Sequence, residues 1–249
     1  MNGIERLRVL NAPVDVLTME TALDAASVLA KDHSRTSYIV AMNPEKTFAI
    51  KRDERLCDFV ENADLIIPDG AGMVLGARIL HGRKLKRVPG ADLMQTLCAE
   101  SGKRNINIFI YGAKEEVNSN AVEKLRERHP DIRIVGRQNG YLEPEKMDDL
   151  IRRIQDSKAD ILFLALGSPK QEAWMSEYGS RTGVGVCMGI GGTLDTIAGT
   201  VKRAPLVFQK LNLEWFYRLM KQPSRFWRQR HVFVFGSHVL MAKITGQGS

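Results

Sequence analysis

Short apolar runs alternate with longer amphipathic segments through most of the chain. In the second half, apolar runs at 106–111, 132–135, 161–165 and 184–188 are each followed closely by a glycine. The segments between them carry apolar residues at helical spacing, as at 115–129 and 144–156. Strands that alternate with helices form a parallel sheet, and a continuous apolar run is typical of a strand buried on both faces.

The first half of the chain continues this alternation. A helix over 19–31 precedes a β-rich run at 37–41, and a helix near 53–62 precedes the apolar strand that ends at Ile67. We therefore predict an α/β fold with a Rossmann-like, largely parallel sheet and helices on both faces.

The segment after Ile67 contains the first candidate for chemistry. Asp69 follows the end of a strand, where open α/β sheets place their ligands. Pro68 fixes its own φ and favours extended backbone before it, so the carboxylate is held in place. The alternative is that Asp69 only caps the next helix. Asn43 has the same alternative, because Pro44 is typical of a first helical position.

Glycines at the strand ends indicate a nucleotide site without saying which nucleotide. They allow backbone N–H groups to approach a diphosphate, and the following helix N-termini add favourable dipoles. The dinucleotide fingerprint Gly-x-Gly-x-x-Gly is absent, because the 189–192 segment has the wrong glycine spacing. This weakens the prediction of a nicotinamide-dependent oxidoreductase.

The chain lacks the usual sequence signals of a metal site. No two Asp residues are spaced as Asp-x-Asp, and the five His residues show no ligand spacing. The three Cys residues are widely separated, which favours reduced thiols. We expect neither a metal nor a cofactor, so cations and backbone amides would meet the charge of a diphosphate. Four cations within 83–87 could hold a phosphate or form a solvated surface.

The net charge of +7 is concentrated at the C-terminus. Residues 202–249 contain nine Lys and Arg and one acidic residue, whereas the other 201 residues carry 27 basic and 28 acidic groups. We place a boundary there, with a catalytic domain over 1–204 and a basic appendage over 205–249. The N-terminus is charged and lacks a signal-peptide core, which predicts a cytoplasmic protein.

Aromatic residues and arginines interleave in the appendage at 224–230. The apolar stretch at 231–244 is too short to span a bilayer, and Gly236 is expected to break it. This composition suits helices that lie on an anionic membrane. Two alternatives are a docking helix whose aromatic residues fill the core, and a nucleic-acid-binding tail.

Five motifs resemble the WecG/TagA/CpsF glycosyltransferases, in the same order and over residues 9–240. The resemblance implies an inverting, metal-independent transfer of N-acetylmannosamine, its uronic acid or a related hexose from a UDP-sugar. The implied acceptor is an undecaprenyl-diphosphate-linked sugar, in bacterial cell-surface polysaccharide synthesis. It also implies a peripheral enzyme on the cytoplasmic face of the membrane, capable of self-association, with no nucleic-acid partner. The motifs are Asn43-Pro44, Pro68-Asp69-Gly70-Ala71-Gly72, Arg87-Val88-Pro89-Gly90, Gly167-Ser168-Pro169-Lys170-Gln171-Glu172 and Gly191-Gly192-Thr193-Leu194-Asp195.

The resemblance also implies roles for individual residues. Asp69 would be the general base, Arg87 and Gln171 would contact the donor or leaving group, and Asn43 would lie in the pocket. Ala41 stands where many members have Thr, which leaves the choice of sugar open. The appendage would bring three arginines to a diphosphate: Arg218, Arg225 and Arg228. Contacts to uracil, ribose and diphosphate are expected from Gly112, Gly140, Tyr141, Gly191 and Asp195.

Overall fold

A six-stranded parallel sheet forms the centre of the molecule. The structure, a computed structural model, describes residues 4–201, Phe208 and 226–246. In the last of these segments, side chains are described from Val234 onward. The predicted α/β, Rossmann-like fold is confirmed. The spatial order is β4-β3-β8-β7-β5-β6, and every neighbouring pair is parallel. The strands of the chain are β1 (Arg6–Val9), β2 (Ala12–Asp15), β3 (Ser37–Met42), β4 (Leu65–Pro68), β5 (Ile108–Gly112), β6 (Ile134–Gln138), β7 (Ile161–Ala165) and β8 (Val186–Gly189).

Helices connect the strands and cover both faces of the sheet. Their N-termini follow from local sequence: Thr18 and Thr21 form a capping box on the first helix, and Asp53 caps the third. The helices are α1 (Met19–Lys31), α2 (Pro44–Ala49), α3 (Glu54–Glu61), α4 (Ala71–His81), α5 (Gly90–Glu100), α6 (Glu115–Arg128), α7 (Met147–Asp156), α8 (Lys170–Tyr178), α9 (Thr193–Ala198) and α10 (Phe226–Thr245), with 3₁₀ turns at Pro144–Lys146 and Gly179–Arg181.

Alternate residues of each strand enter two separate hydrophobic cores. In β7, Ile161 and Phe163 pack with α1, α5, α6 and α9, whereas Leu162 and Leu164 pack on the opposite face. All five residues of this strand are buried, as its continuous apolar run predicts.

An antiparallel hairpin of β1 and β2 packs beside β4 and was not expected from the sequence. Its turn places Leu10 at φ 57°, so the glycine that usually marks such a turn is absent. Asp15 fixes the hairpin, because its carboxylate binds Arg6 and accepts a 2.7 Å hydrogen bond from the Ile66 amide. The hairpin thereby covers the outer edge of the sheet.

The C-terminal helix α10 packs against α2 and α4. Phe235 and Val239 are each 2% exposed and belong to the core that contains α2 and α4. The helix continues through Gly236, the residue that interrupts its apolar sequence. A glycine costs about 1 kcal/mol within a helix, which the burial of Phe235 and Val239 outweighs. Within the described ranges, no helix has the length and apolar character needed to cross a membrane.

Candidate active site

Four of the predicted site residues follow four neighbouring strands of the sheet. Asp69 follows β4, Asn43 follows β3, Gly191 lies two residues beyond β8, and Gln171 lies near the start of the helix after β7. Because parallel strands end at the same edge, these residues line one side of the sheet. The structure therefore places them along a single edge, although 148 positions separate Asn43 from Gly191.

The Asp69 carboxylate does not cap α4, which has Gly70 as its N-cap residue and no side-chain cap. Instead, Asp69 Oδ1 accepts a 3.2 Å hydrogen bond from the Gly90 amide at the start of α5. The Asp69 amide donates to Met42 O at 3.0 Å, which ties its backbone to β3. These two bonds tie Asp69 both to β3 and to the start of α5.

Arg87 lies directly beside Asp69 at the end of the basic loop. Its Nε donates a 2.8 Å hydrogen bond to the Asp69 carbonyl oxygen. Leu85 and Val88 anchor the loop in the protein, and the Val88 amide bonds Pro68 O at 2.9 Å. Lys84 and Lys86 are exposed to solvent, whereas Arg87 is partly buried beside Asp69.

Asn43 caps α2 through a 2.9 Å hydrogen bond from the Lys46 amide to its Oδ1. The capping interpretation is therefore correct, and the same residue also lies beside the Asp69 turn. A Cβ on Gly70 would lie 3.3 Å from Asn43 Cβ and 2.8 Å from Pro44 Cδ. Gly70 has φ −91°, which any residue can adopt. Glycine is therefore required here by this close packing and not by a left-handed backbone.

Gln171 is buried and holds the turn that contains Gly191. Its Oε1 accepts a 3.0 Å hydrogen bond from the Gly191 amide, and Gly191 has φ +51°. A Cβ on Gly189 would lie 2.2 Å from Gln171 Nε2, so the amide occupies the space that a side chain on β8 would need. Asp195 is near the same turn, with its Oδ2 3.6 Å from the position of a Cβ on Gly192.

A buried ion pair beside Gln171 was not found by the sequence reasoning. Lys46 Nζ lies 2.5 Å from Glu172 Oε1, and the side chains are 6% and 2% exposed. Burial would raise the pKa of Glu172, but the charge and hydrogen bond of Lys46, with a bond from Gln171, hold that pKa below its usual value. One member of the pair was visible in the sequence, because Glu172 belongs to one of the five motifs.

Gly112 and Gly140 meet at the far end of the same edge. The Gly140 amide donates to Ala113 O at 2.8 Å, and a Cβ on Gly140 would lie 3.1 Å from Gly112 Cα. Gly112 has φ +126°, and a Cβ there would lie 2.5 Å from the Ala165 carbonyl group. Tyr141 follows and is 75% exposed. Gly112 and Gly140 thus form an open surface of backbone atoms next to the exposed Tyr141 ring.

The side chains of the three predicted appendage arginines lie outside the part of the chain that the structure describes. Arg218 and Arg225 lie outside the described residues, as does the side chain of Arg228. The predicted domain boundary near residue 204 lies outside them as well. In the described part of the chain, no three His, Cys, Asp or Glu side chains are grouped so that they could hold a metal ion.

An open parallel sheet whose carboxyl edge carries a carboxylate, an arginine and glycine-rich turns is the architecture of nucleotide-binding α/β enzymes. The sequence model of the glycosyl transferase WecG/TagA/CpsF family matches residues 7–248, nearly the whole chain. The chain therefore belongs to this family and is a glycosyltransferase. Family membership favours transferase activity over the oxidoreductase and nucleic-acid-binding alternatives.

Proposed function

We propose that this glycosyltransferase moves a hexose, N-acetylmannosamine, its uronic acid or a related sugar, from UDP to an undecaprenyl-diphosphate-linked sugar, with inversion and without a metal. The single observation that carries the proposal is the position of the Asp69 carboxylate. It lies at the carboxyl edge of the sheet, bonded to the Gly90 amide and not used as the cap of α4.

Asp69 is the proposed general base. As the acceptor hydroxyl attacks the anomeric carbon, its proton becomes acidic and passes to the carboxylate. A new carbon–oxygen bond forms on one face of the sugar while the bond to UDP breaks on the other, which inverts the configuration. The backbone bonds of Asp69 to Met42 and Arg87 hold the base in position for this step.

Arg87 and the glycine-rich turns are proposed to stabilise the negative charge that develops on UDP. A guanidinium can bind a phosphate through two parallel hydrogen bonds. The glycine-rich turns after β8 and β5 allow a diphosphate to approach the backbone closely, while Tyr141 provides a surface for the base or ribose. The absence of Asp-x-Asp from the sequence supports charge neutralisation by these groups instead of a metal.

We further propose that the enzyme binds the cytoplasmic face of the bacterial membrane through its C-terminal segment. Apolar residues on the outer side of α10 support this, because Leu240, Met241 and Ile244 are 55%, 61% and 81% exposed. The net positive charge of residues 202–249 would add attraction to anionic lipids.

The test is UDP release from a panel of UDP-sugars in the presence of a synthetic polyprenyl-diphosphate-linked GlcNAc. Asp69→Asn should lower kcat by about 10²–10⁴-fold, the usual contribution of a general base. Asp53→Asn is the matched control, because Asn also caps a helix well and α3 should be unaffected. Turnover of Asp69→Asn at the wild-type rate, or loss of wild-type turnover in EDTA, would contradict the proposal. The anomeric configuration of the product, read by NMR, tests inversion.

A further inference from the structure

A continuous chain of buried polar contacts connects the ends of three neighbouring strands. Lys46 is bonded through its amide to Asn43 after β3, and its Nζ pairs with Glu172 in α8. Gln171 Nε2 donates to Glu172 Oε1 at 3.2 Å, and Gln171 Oε1 accepts from the Gly191 amide beyond β8. Two candidate site residues and one candidate phosphate-binding turn are therefore attached to one ion pair.

The orientation of the Gln171 amide depends on the charge of this pair. A carboxylate can only accept hydrogen bonds, so Glu172 requires the NH₂ group of Gln171 to face it. The carbonyl oxygen of Gln171 must then face the Gly191 amide, as observed. A neutral apolar residue at position 172 would remove this requirement, and the amide could rotate.

The pair is poorly suited to a purely stabilising role. Replacing a buried ion pair with apolar residues is often neutral or stabilising, since both charges lose their water. Glu172 Oε2 is buried and has no hydrogen-bond partner among the described residues, so the carboxylate is incompletely satisfied. Phe48, two positions after Lys46, belongs to a core in which apolar side chains would pack well.

We propose that Lys46 and Glu172 are positioning residues, which fix the orientation of Gln171 and, through it, the Gly191 turn for the bound donor. This inference rests on the proposed function, because the turn is assigned there to the diphosphate. Lys46 and Glu172 act through Gln171 and need not touch the substrate themselves.

The double variant Lys46→Met/Glu172→Met tests this inference, because it removes both charges together and leaves neither one buried alone. We expect a Tm close to that of the wild type, a kcat at least tenfold lower and a smaller change in the donor KM. Hydrogen exchange of the Gly191 amide should be at least tenfold faster. The Ile190 amide, which bonds Leu164 O at 2.8 Å in the backbone, should exchange at an unchanged rate.

Asp160→Asn is the control for general destabilisation. Asp160 is a buried carboxylate at the opposite edge of the sheet, bonded to Lys31 and His33, so its loss should lower Tm and leave kcat unchanged. If the Met pair does not fold, Lys46→Met/Glu172→Gln, which retains the shape of residue 172, should show the same faster exchange at Gly191.

Two results would overturn the inference: a kcat within twofold of the wild type in a folded double variant, or unchanged exchange at Gly191. Absence of sugar transfer by the wild type would overturn the proposed function instead. The exchange measurement needs no substrate, so it still tests whether the ion pair holds the turn.

Discussion

Phe235→Ala should destabilise the whole protein, because this side chain joins the C-terminal helix to the catalytic core. Its ring is 2% exposed and lies edge-on to Phe48, with ring centroids 6.4 Å apart. A Cβ on Gly72 or Gly76 would lie about 3.4 Å from the same ring. Phe235 thus fills a space bordered by two residues without side chains.

The expected loss follows from this packing. Truncation of a buried Phe to Ala costs about 3–5 kcal/mol, and the cost rises with the cavity that remains. Gly72 and Gly76 cannot extend side chains into the cavity, so we expect the upper half of that range. For a protein of this size, the corresponding fall in Tm is about 8–20 °C.

The measurement is thermal and urea-induced unfolding followed by circular dichroism. Leu240→Ala is the matched control on the same helix, since Leu240 is 55% exposed and its truncation should cost less than about 0.5 kcal/mol. Equal Tm values for Phe235→Ala and Leu240→Ala would show that α10 is not docked in solution. Deletion of the whole tail would expose the same core surface, so point variants give the cleaner test.

Two further predictions concern the membrane surface and the opposite edge of the sheet. The double variant Leu240→Asp/Ile244→Asp should lose most of its binding to anionic vesicles in a flotation assay. Its Tm should stay unchanged, because both side chains are exposed. Flotation of the variant at the wild-type level would refute a role for this face. The bonds of His33 to Gly183 O and Asp160 raise its pKa, and only the imidazolium can donate to both acceptors. This contribution to stability is complete below the unfolded pKa of about 6.5 and is lost as pH rises through the higher folded value. The Tm difference between wild type and His33→Gln should therefore shrink from pH 5.5 to pH 8.5, and a constant difference would contradict the assignment.

Local patterns predicted the elements well where the signal lies within a few residues. The run 161–165 forms β7 with the expected bounds, and the helix predicted over 19–31 is α1 (Met19–Lys31). Strand β6 continues through Gly136, where the sequence predicts an end. Glycine is required at position 136 by packing, because a Cβ there would lie 2.4 Å from the Phe109 ring.

The candidate site was predicted residue by residue, but its connections depend on which strands are neighbours. Strand β8 lies between β3 and β7, and only this order brings Lys46 to Glu172, 126 positions away. No local periodicity contains that information. The hairpin of β1 and β2 was missed for a related reason, since its stability comes from Asp15 and its contact with Ile66.

The order of the strands also sets a minimum length for a substrate that reaches across the site. Neighbouring strands are about 4.8 Å apart, so Asp69 after β4 and Gln171 after β7 are separated by about 14 Å across the sheet. Gly140 lies against Gly112 at the end of β5, which is about 19 Å from Asp69 by the same measure. A single sugar ring cannot reach both ends. If the donor is the proposed UDP-sugar and engages both, it must lie extended across the strands, with its nucleotide toward β5 and its reacting carbon toward β4. The backbone alone would then distinguish a nucleotide-linked sugar from the free sugar.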